Sequence, residues 1–310
     1  MDTSVSLSIV IPVYNSEKTI TRLVDGIVES LKPRYRLEII LVNDNSKDGS
    51  ERVCISLHEK YKNTVKFYSL SKNVGEHSAV MAGLNKTTSD YVVIMDDDFQ
   101  NPINEVFALV DRAVADDFDV VYSYYRKKQH SFLRNAGSWF NDKVANIMLH
   151  KPKDLYLSSF KVINRFLVDE IIKYKAPFPY IDGLILQITD NIGRIEVEHQ
   201  ARQENRSGYT MKKLVSLWLN MFTNFSILPL RFSTVLGFIF SFFGIALGIY
   251  TVIEKISNPH LPVGFASLIF AVSVFAGVQL ISLGIIGEYV GRVFLSLNKK
   301  PQYTIKKFLE

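Results

Sequence analysis

The chain has 310 residues, with 36 Lys and Arg against 31 Asp and Glu, for a net charge of +5. That modest excess suits an anionic membrane surface and anionic substrates, and argues against nucleic acid as a partner. The single cysteine, Cys54, excludes an intramolecular disulfide and the usual cysteine zinc sites; its helical surroundings mark it as a packed apolar residue.

The first part of the chain alternates strands and helices. Residues 7–13 are a short, β-branched, apolar run whose end is marked by Pro12 and Tyr14. Residues 17–31 have helical spacing, with Ile20, Leu23, Val24 and Ile27 on one face. A second strand over 38–43 runs into the turn-rich segment Asn43-Asp44-Asn45-Ser46-Lys47-Asp48-Gly49. Helix over 50–61, strand over 65–70, helix over 76–85, strand over 91–95, helix over 102–115 and strand over 120–124 follow. This order predicts an α/β fold, a mostly parallel, Rossmann-like sheet covered by helices on both faces.

Ligands in such sheets bind beyond the carboxyl ends of the strands. Three polar clusters fall there: Pro12 to Asn15, Asn43 to Ser46, and Asp96-Asp97-Asp98. No glycine-rich dinucleotide fingerprint and no phosphate-loop motif is present, which argues against hydride transfer and against a phosphate-loop enzyme. Three consecutive carboxylates repel one another, and a cation is their natural partner. Alternate residues of an extended chain point the same way, so Asp96 and Asp98 can face one ion, and all-oxygen ligation suits Mg²⁺ or Mn²⁺.

The character changes after Arg231. Residues 232–253 and 261–287 carry no charge, which predicts two transmembrane helices over about 232–253 and 262–287. Lys212, Lys213 and Arg231 precede the first; Arg292, Lys299, Lys300, Lys306 and Lys307 follow the second; the loop between them holds Glu254 and Lys255. Met1 to Ser8 has no basic, apolar signal pattern, and the charge bias then places both termini and the first domain in the cytoplasm, on the inner (cytoplasmic) membrane. Residues 209–230 set Lys212 and Lys213 beside Leu214, Trp218 and Phe222, the pattern of an interfacial amphipathic helix. The division expected is 1–208 catalytic, 209–230 interfacial, and 231–310 spans with a cytoplasmic tail. Glycines at 237, 244, 248, 277, 284, 287 and 291 permit close helix contacts of the kind a homo-oligomer uses, and Gln302-Tyr303-Thr304-Ile305 could add a strand to a neighbour.

The stretches Ser8-Ile9-Val10-Ile11-Pro12-Val13-Tyr14-Asn15, Asn73-Val74-Gly75-Glu76-His77-Ser78-Ala79-Val80-Met81-Ala82-Gly83 and Met95-Asp96-Asp97-Asp98-Phe99-Gln100-Asn101-Pro102, with the turn holding Asp44, resemble family 2 glycosyltransferases of the GT-A fold. The likeness is strongest to the polyprenyl-phosphate branch, which includes dolichyl-phosphate mannose synthase and bacterial enzymes that load glucose or an aminoarabinose onto undecaprenyl phosphate. It extends over nearly the whole chain.

The resemblance implies roles. Pro12, Tyr14, Asn15 and Asp44 would hold the base and ribose of a nucleotide sugar. Asp96, Asp98 and Gln100 would hold the metal and diphosphate. Arg126, Arg134 and Ser138 would hold phosphate oxygens, with Arg202, Ser207 and Tyr209 in a second cluster near His199. Asp96, Asp98, Arg126 and Arg202 form the catalytic set. Asp97 stands where many relatives have a small residue; it is grouped with the nucleotide-sugar residues and either adds a ligand or faces water. Some relatives carry a carboxylate within Leu157-Ser158-Ser159-Phe160-Lys161, and this chain has none there.

A phosphomonoester acceptor is largely dianionic near pH 7, with a second pKa of about 6, and needs no general base; a sugar hydroxyl would need one, such as Asp182. The expected function is therefore inverting, metal-dependent transfer from a nucleotide sugar, with UDP favoured over GDP, to undecaprenyl phosphate, for cell-surface glycan modification. The alternatives are transfer to a lipid-linked glycan and an inactive membrane-bound nucleotide-sugar scaffold. Absence of a Gln-x-x-Arg-Trp signature argues against processive synthesis.

Overall fold

The structure, a computed structural model, describes residues 5–99, 101–124, 155–197, 228–258, 264–298 and 300–310. The chain divides into two compact units, one of residues 1–210 with 299–310, the other of residues 211–298.

The first unit is built on one eight-stranded sheet. Its strands are β1 (Ser6–Val13), β2 (Arg36–Asn43), β3 (Val65–Leu70), β4 (Tyr91–Ile94), β5 (Val120–Tyr124), β6 (Lys161–Asn164), β7 (Ile192–Glu196) and β8 (Ile305–Leu309), in the spatial order β7-β5-β6-β4-β1-β2-β3-β8. Strands β1 to β4 pair in parallel, as the alternation of elements predicts. The order reverses between β1 and β4, so their carboxyl ends flank the crevice where such sheets take ligands.

Helices cover both faces. α1 (Ile20–Leu31), α2 (Ser50–Lys60) and α4 (Glu105–Ala115) bury Leu23, Ile27, Cys54, Leu57, Leu109 and Val110 in one core with the odd-numbered residues of β1 and β2, including Ile9, Ile11, Ile39 and Leu41. α3 (Glu76–Leu84) lies on the opposite face, against the even-numbered residues: a Cβ on Gly83 would stand 2.5 Å from Val10 Cγ1 and 3.3 Å from Val42 Cγ2. Alternation along each strand makes this two-sided burial possible. The buried, neutral Cys54 thiol, pushed up to about 12 by burial, is a packing residue as expected.

Three strands escape the alternation rule. β6 slips between β4 and β5, antiparallel to both, and β7 then pairs in parallel with β5. β8, at the C-terminal end, pairs antiparallel with β3 of its own sheet. Exposed Lys306 and Lys307 on β8 discourage further pairing at that edge. Between β6 and β7 stand α5 (Arg165–Ile171) and α6 (Ile181–Ile188); Asn164 caps α5 by accepting Leu167 N–H at 2.9 Å.

The second unit holds α7 (Leu228–Ser257) and α8 (Phe265–Leu297), both long and apolar enough to cross a membrane. At 1.5 Å per residue each exceeds a hydrocarbon core of about 30 Å. Phe238, Phe242 and Leu280 are exposed, as lipid-facing side chains are. Phe240 meets Phe275 edge-on at 6.3 Å, and Glu288 pairs with Arg292 one turn on, at 2.9 Å.

Candidate active site

The acidic triplet directly follows β4. Met95 N–H still donates to Val10 O at 3.2 Å, so the chain leaves the sheet at Asp96. Asp96 and Asp97 then meet different partners. Asp96 Oδ2 accepts from Ser159 Oγ at 2.6 Å, just ahead of β6. Asp97 Oδ2 accepts Tyr14 N–H at 3.1 Å and the Ser16 hydroxyl, which ties the triplet to the loop after β1. Phe99, which follows the triplet, has φ +62°, a left-handed conformation uncommon for a bulky side chain, with the Arg22 guanidinium 4.3 Å above its ring.

The loops after β1 and β2 lock together. Asn15, at φ +56°, accepts Lys47 N–H on its side-chain oxygen at 2.8 Å, and its own N–H donates to Ser46 Oγ at 3.0 Å. Asn43 Nδ2 donates to Ser69 Oγ at 3.0 Å. Asp44 is buried and accepts Val74 N–H at 2.8 Å and Gly75 N–H at 2.9 Å. Burial pushes the Asp44 carboxyl up, and these two amides oppose the shift. Gly75 needs its freedom: its φ of +91° turns the chain into α3.

Charge accumulates at this point. Asp96 is pushed up to about 7 by burial and by Glu76, with the Ser159 hydrogen bond opposing and Asp98 adding to the rise. Asp97 is pushed up to about 6, chiefly by burial, against its bonds to Ser16 and Tyr14. Glu76, at the start of α3, is raised by burial, held down by Lys161, and raised again by Asp182, Asp97 and Asp98. Glu76 itself is exposed to solvent at the start of α3. Beside it, burial lowers His77 to about 4 and keeps it neutral; its ring meets Tyr180 edge-on at 4.9 Å.

A buried polar cluster backs this wall. Lys161 ion-pairs with Asp182, their side chains 2% and 9% exposed, and Tyr122 O–H donates to the same Asp182 oxygen at 2.9 Å. Asp182, a candidate base by sequence, is thus engaged in a structural pair.

Of the sequence-predicted residues, the structure gathers Pro12, Tyr14, Asn15, Asp44, Asp96, Asp97 and Asp98 around the carboxyl ends of β1, β2 and β4. Gln100, Arg126, Arg134, Ser138, His199, Arg202, Ser207 and Tyr209 lie outside the described residues, as does most of the segment 209–230 that the sequence suggests is interfacial. Sequence reasoning assigned no role to Glu76, Ser16 or Lys161. An acidic residue opening a helix after a glycine was the available signal for Glu76.

The donor set fits a hard divalent cation. Asp96 and Asp98 offer carboxylate oxygens, and Asp96 is raised first by burial, then by Glu76 and to a lesser degree by Asp98, a condition a cation would relieve. Among the described residues alone, no group of three or more His, Cys, Asp or Glu side chains is arranged around one metal position; Gln100 would be a further donor.

Fold and site together define a GT-A-like transferase domain joined to a hairpin of helices able to span a membrane. Residues 8–172 match Glycosyl transferase family 2, and residues 218–293 match the GtrB C-terminal hairpin. The chain belongs to glycosyl transferase family 2 and is a glycosyltransferase. It is 30% identical over 308 residues to undecaprenyl-phosphate 4-deoxy-4-formamido-L-arabinose transferase of Proteus mirabilis, covering 97% of this chain and 93% of that one. The enzyme of the same name from Serratia proteamaculans is 29% identical with the same coverage.

Solved structures of glucosyl-3-phosphoglycerate synthase from Mycobacterium tuberculosis share the fold. The complex with UDP superposes with a TM-score of 0.53 at 20% identity, covering 70% of this chain and 79% of that one. The complex with Mn²⁺, UDP-glucose and phosphoglyceric acid gives 0.51 at 19% identity, covering 70% and 80%.

Proposed function

We propose that this chain transfers a sugar, with inversion, from a UDP-sugar to undecaprenyl phosphate at the cytoplasmic face of the inner membrane, yielding a lipid-linked monosaccharide for cell-surface glycan modification. The observation that carries the proposal is the union, in one chain, of a carboxylate-rich strand end at the sheet's switch point with two helices able to span a bilayer. Full-length similarity to undecaprenyl-phosphate transferases supports it.

Each described residue has a task in this reading. Tyr14, Asn15 and Pro12 line the base and ribose site. Asp44, its carboxylate fixed by two amides, retains lone pairs for ribose hydroxyls. Asp97 holds the 14–16 loop in place rather than facing water. Ser159 orients one oxygen of Asp96. Asp96, Asp98 and Gln100 would hold Mg²⁺ or Mn²⁺, which when bound neutralises the diphosphate and stabilises its departure.

The reacting atoms then need mainly positioning. A phosphate oxygen of the acceptor forms a bond to the anomeric carbon as the bond from that carbon to the diphosphate breaks. The nucleoside diphosphate leaves with the electron pair, and no proton must be removed. Arg126, Arg134, Ser138, Arg202, Ser207 and Tyr209 are assigned to the phosphate oxygens. In the second unit, Gly237, Gly248, Gly277, Gly284, Gly287 and Gly291 meet no atom within 4 Å at a Cβ position, which leaves room for the helices of a second copy in a homo-oligomer.

Purified protein given labelled UDP-sugars, Mg²⁺ or Mn²⁺ and undecaprenyl phosphate tests the proposal. Label should appear in the lipid phase. Transfer only to a lipid-linked glycan would overturn it, and nucleotide binding without transfer would favour the scaffold.

A further inference from the structure

The loop between α5 and α6 has a construction that sugar transfer does not explain. Its sequence is Lys173-Tyr174-Lys175-Ala176-Pro177-Phe178-Pro179-Tyr180. Pro177 and Pro179 are buried, while Phe178 between them is 39% exposed. Phe178 also has φ +61°, a left-handed conformation uncommon for an aromatic residue. The ring is left partly exposed on a left-handed backbone, the kind of strain that marks functional positions.

The C-terminal tail holds the loop in that state. Gln302 Nε2 donates to both Tyr174 O and Ala176 O at 2.8 Å. The Lys300 ammonium lies 5.2 Å over the Phe178 ring. Lys173 and Lys175, earlier in the same loop, are exposed, and Lys173 pairs with Glu170. Gln302 itself follows Leu297, the last residue of α8, by five positions, a reach of at most about 18 Å when fully extended. A partly exposed aromatic under a lysine ammonium, in a lysine-bearing loop on a short tether from a helix able to span a membrane, has the chemistry of an interfacial anchor: the ring enters the apolar boundary and the lysines meet anionic headgroups.

We infer that the Pro177-Phe178-Pro179 loop docks on the lipid surface, with Gln302 and Lys300 as positioning residues. The inference rests on the reading that α7 and α8 span a bilayer. It adds a reason for the loop's place in the site wall, since Tyr180, two residues on, packs against His77 beside Glu76. Docking there would set the height of the cleft relative to the lipid phosphate.

A single-tryptophan chain reads this directly. The full-length protein with Trp139→Phe, Trp218→Phe and Phe178→Trp is reconstituted in anionic vesicles whose lipids carry bromine at shallow acyl positions. Emission should be strongly quenched relative to unbrominated lipid. Unquenched emission overturns the inference, as does crosslinking of position 178 between two copies of the chain in place of quenching. Because this readout needs no transfer, it separates failure of docking from failure of the proposed reaction. Kinetics supply a second arm: Phe178→Ser should raise KM for the lipid acceptor roughly tenfold and leave KM for the nucleotide sugar unchanged, while Phe178→Leu stays near wild type. Equal shifts in both KM values, or in neither, contradict it.

Discussion

Ser159 donates its hydroxyl to Asp96 Oδ2 at 2.6 Å, joining the segment ahead of β6 to the carboxylate that ends β4. Here a neutral donor steadies Asp96 where a second carboxylate would repel it. A hydrogen bond to a charged group contributes about 1.5–3 kcal/mol. Ser159→Ala should therefore lower kcat about tenfold or more, with the nucleotide-sugar KM little changed, as steady-state kinetics would show.

The members of the triplet should separate by phenotype. Asp98→Asn removes a proposed ligand and should abolish transfer while nucleotide binding persists; full activity would refute the metal role. Asp97→Ala instead frees Tyr14 N–H and the Ser16 hydroxyl. Its main effect should be a several-fold rise in the nucleotide-sugar KM, with a smaller change in kcat. Isothermal titration with UDP and steady-state kinetics together distinguish the two.

The Lys161–Asp182 pair should behave as a structural unit. Lys161→Met strands a buried carboxylate, at a cost of about 3–5 kcal/mol. The melting temperature should fall sharply. Adding Asp182→Leu removes the stranded charge, and the double variant should melt above the single one. If Asp182→Leu alone abolished transfer without loss of stability, Asp182 would be a base and the phosphate-acceptor reading would fail.

Gly83 offers a test by sign. In an open helix, Gly→Ala stabilises by up to about 1 kcal/mol. Here the new Cβ would stand 2.5 Å from Val10 Cγ1, so the helix must move off the sheet. Overpacking of this kind costs about 1–3 kcal/mol, and Gly83→Ala should lower the melting temperature. A rise would show that α3 is packed more loosely against β1 than the fold requires.

Much of the fold was legible because its signals are local. β1, β2 and β4 are largely buried on both faces and carry the apolar runs 9–11, 39–42 and 91–94, and α1 declares its face through Ile20, Leu23, Val24 and Ile27. β6 was not legible: four residues opening on a buried lysine carry no strand pattern, and its place depends on pairing with β4, some seventy residues earlier. β7 carries Gly193 and Arg194 and hides equally well. β8 was legible only in part: Gln302 to Ile305 read as a strand for a neighbour, whereas the strand runs over Ile305–Leu309 and pairs with β3 of the same chain.

The site divides in the same way. Asp96, Asp97 and Asp98 announce themselves by following an apolar strand. The partners that give them distinct roles do not: Ser16 and Ser159 reach the triplet across 81 and 63 residues of chain. Asp97 could be assigned only once the loop after β1 was seen to rest on it.

The central claim is that the acceptor is a lipid phosphate, whose own charge makes a general base unnecessary. The most direct measurement compares undecaprenyl phosphate with undecaprenol as acceptors for the same purified protein, nucleotide sugar and divalent metal. The account predicts transfer to undecaprenyl phosphate and none to undecaprenol. Comparable transfer to the alcohol would require a base within the site and would contradict it.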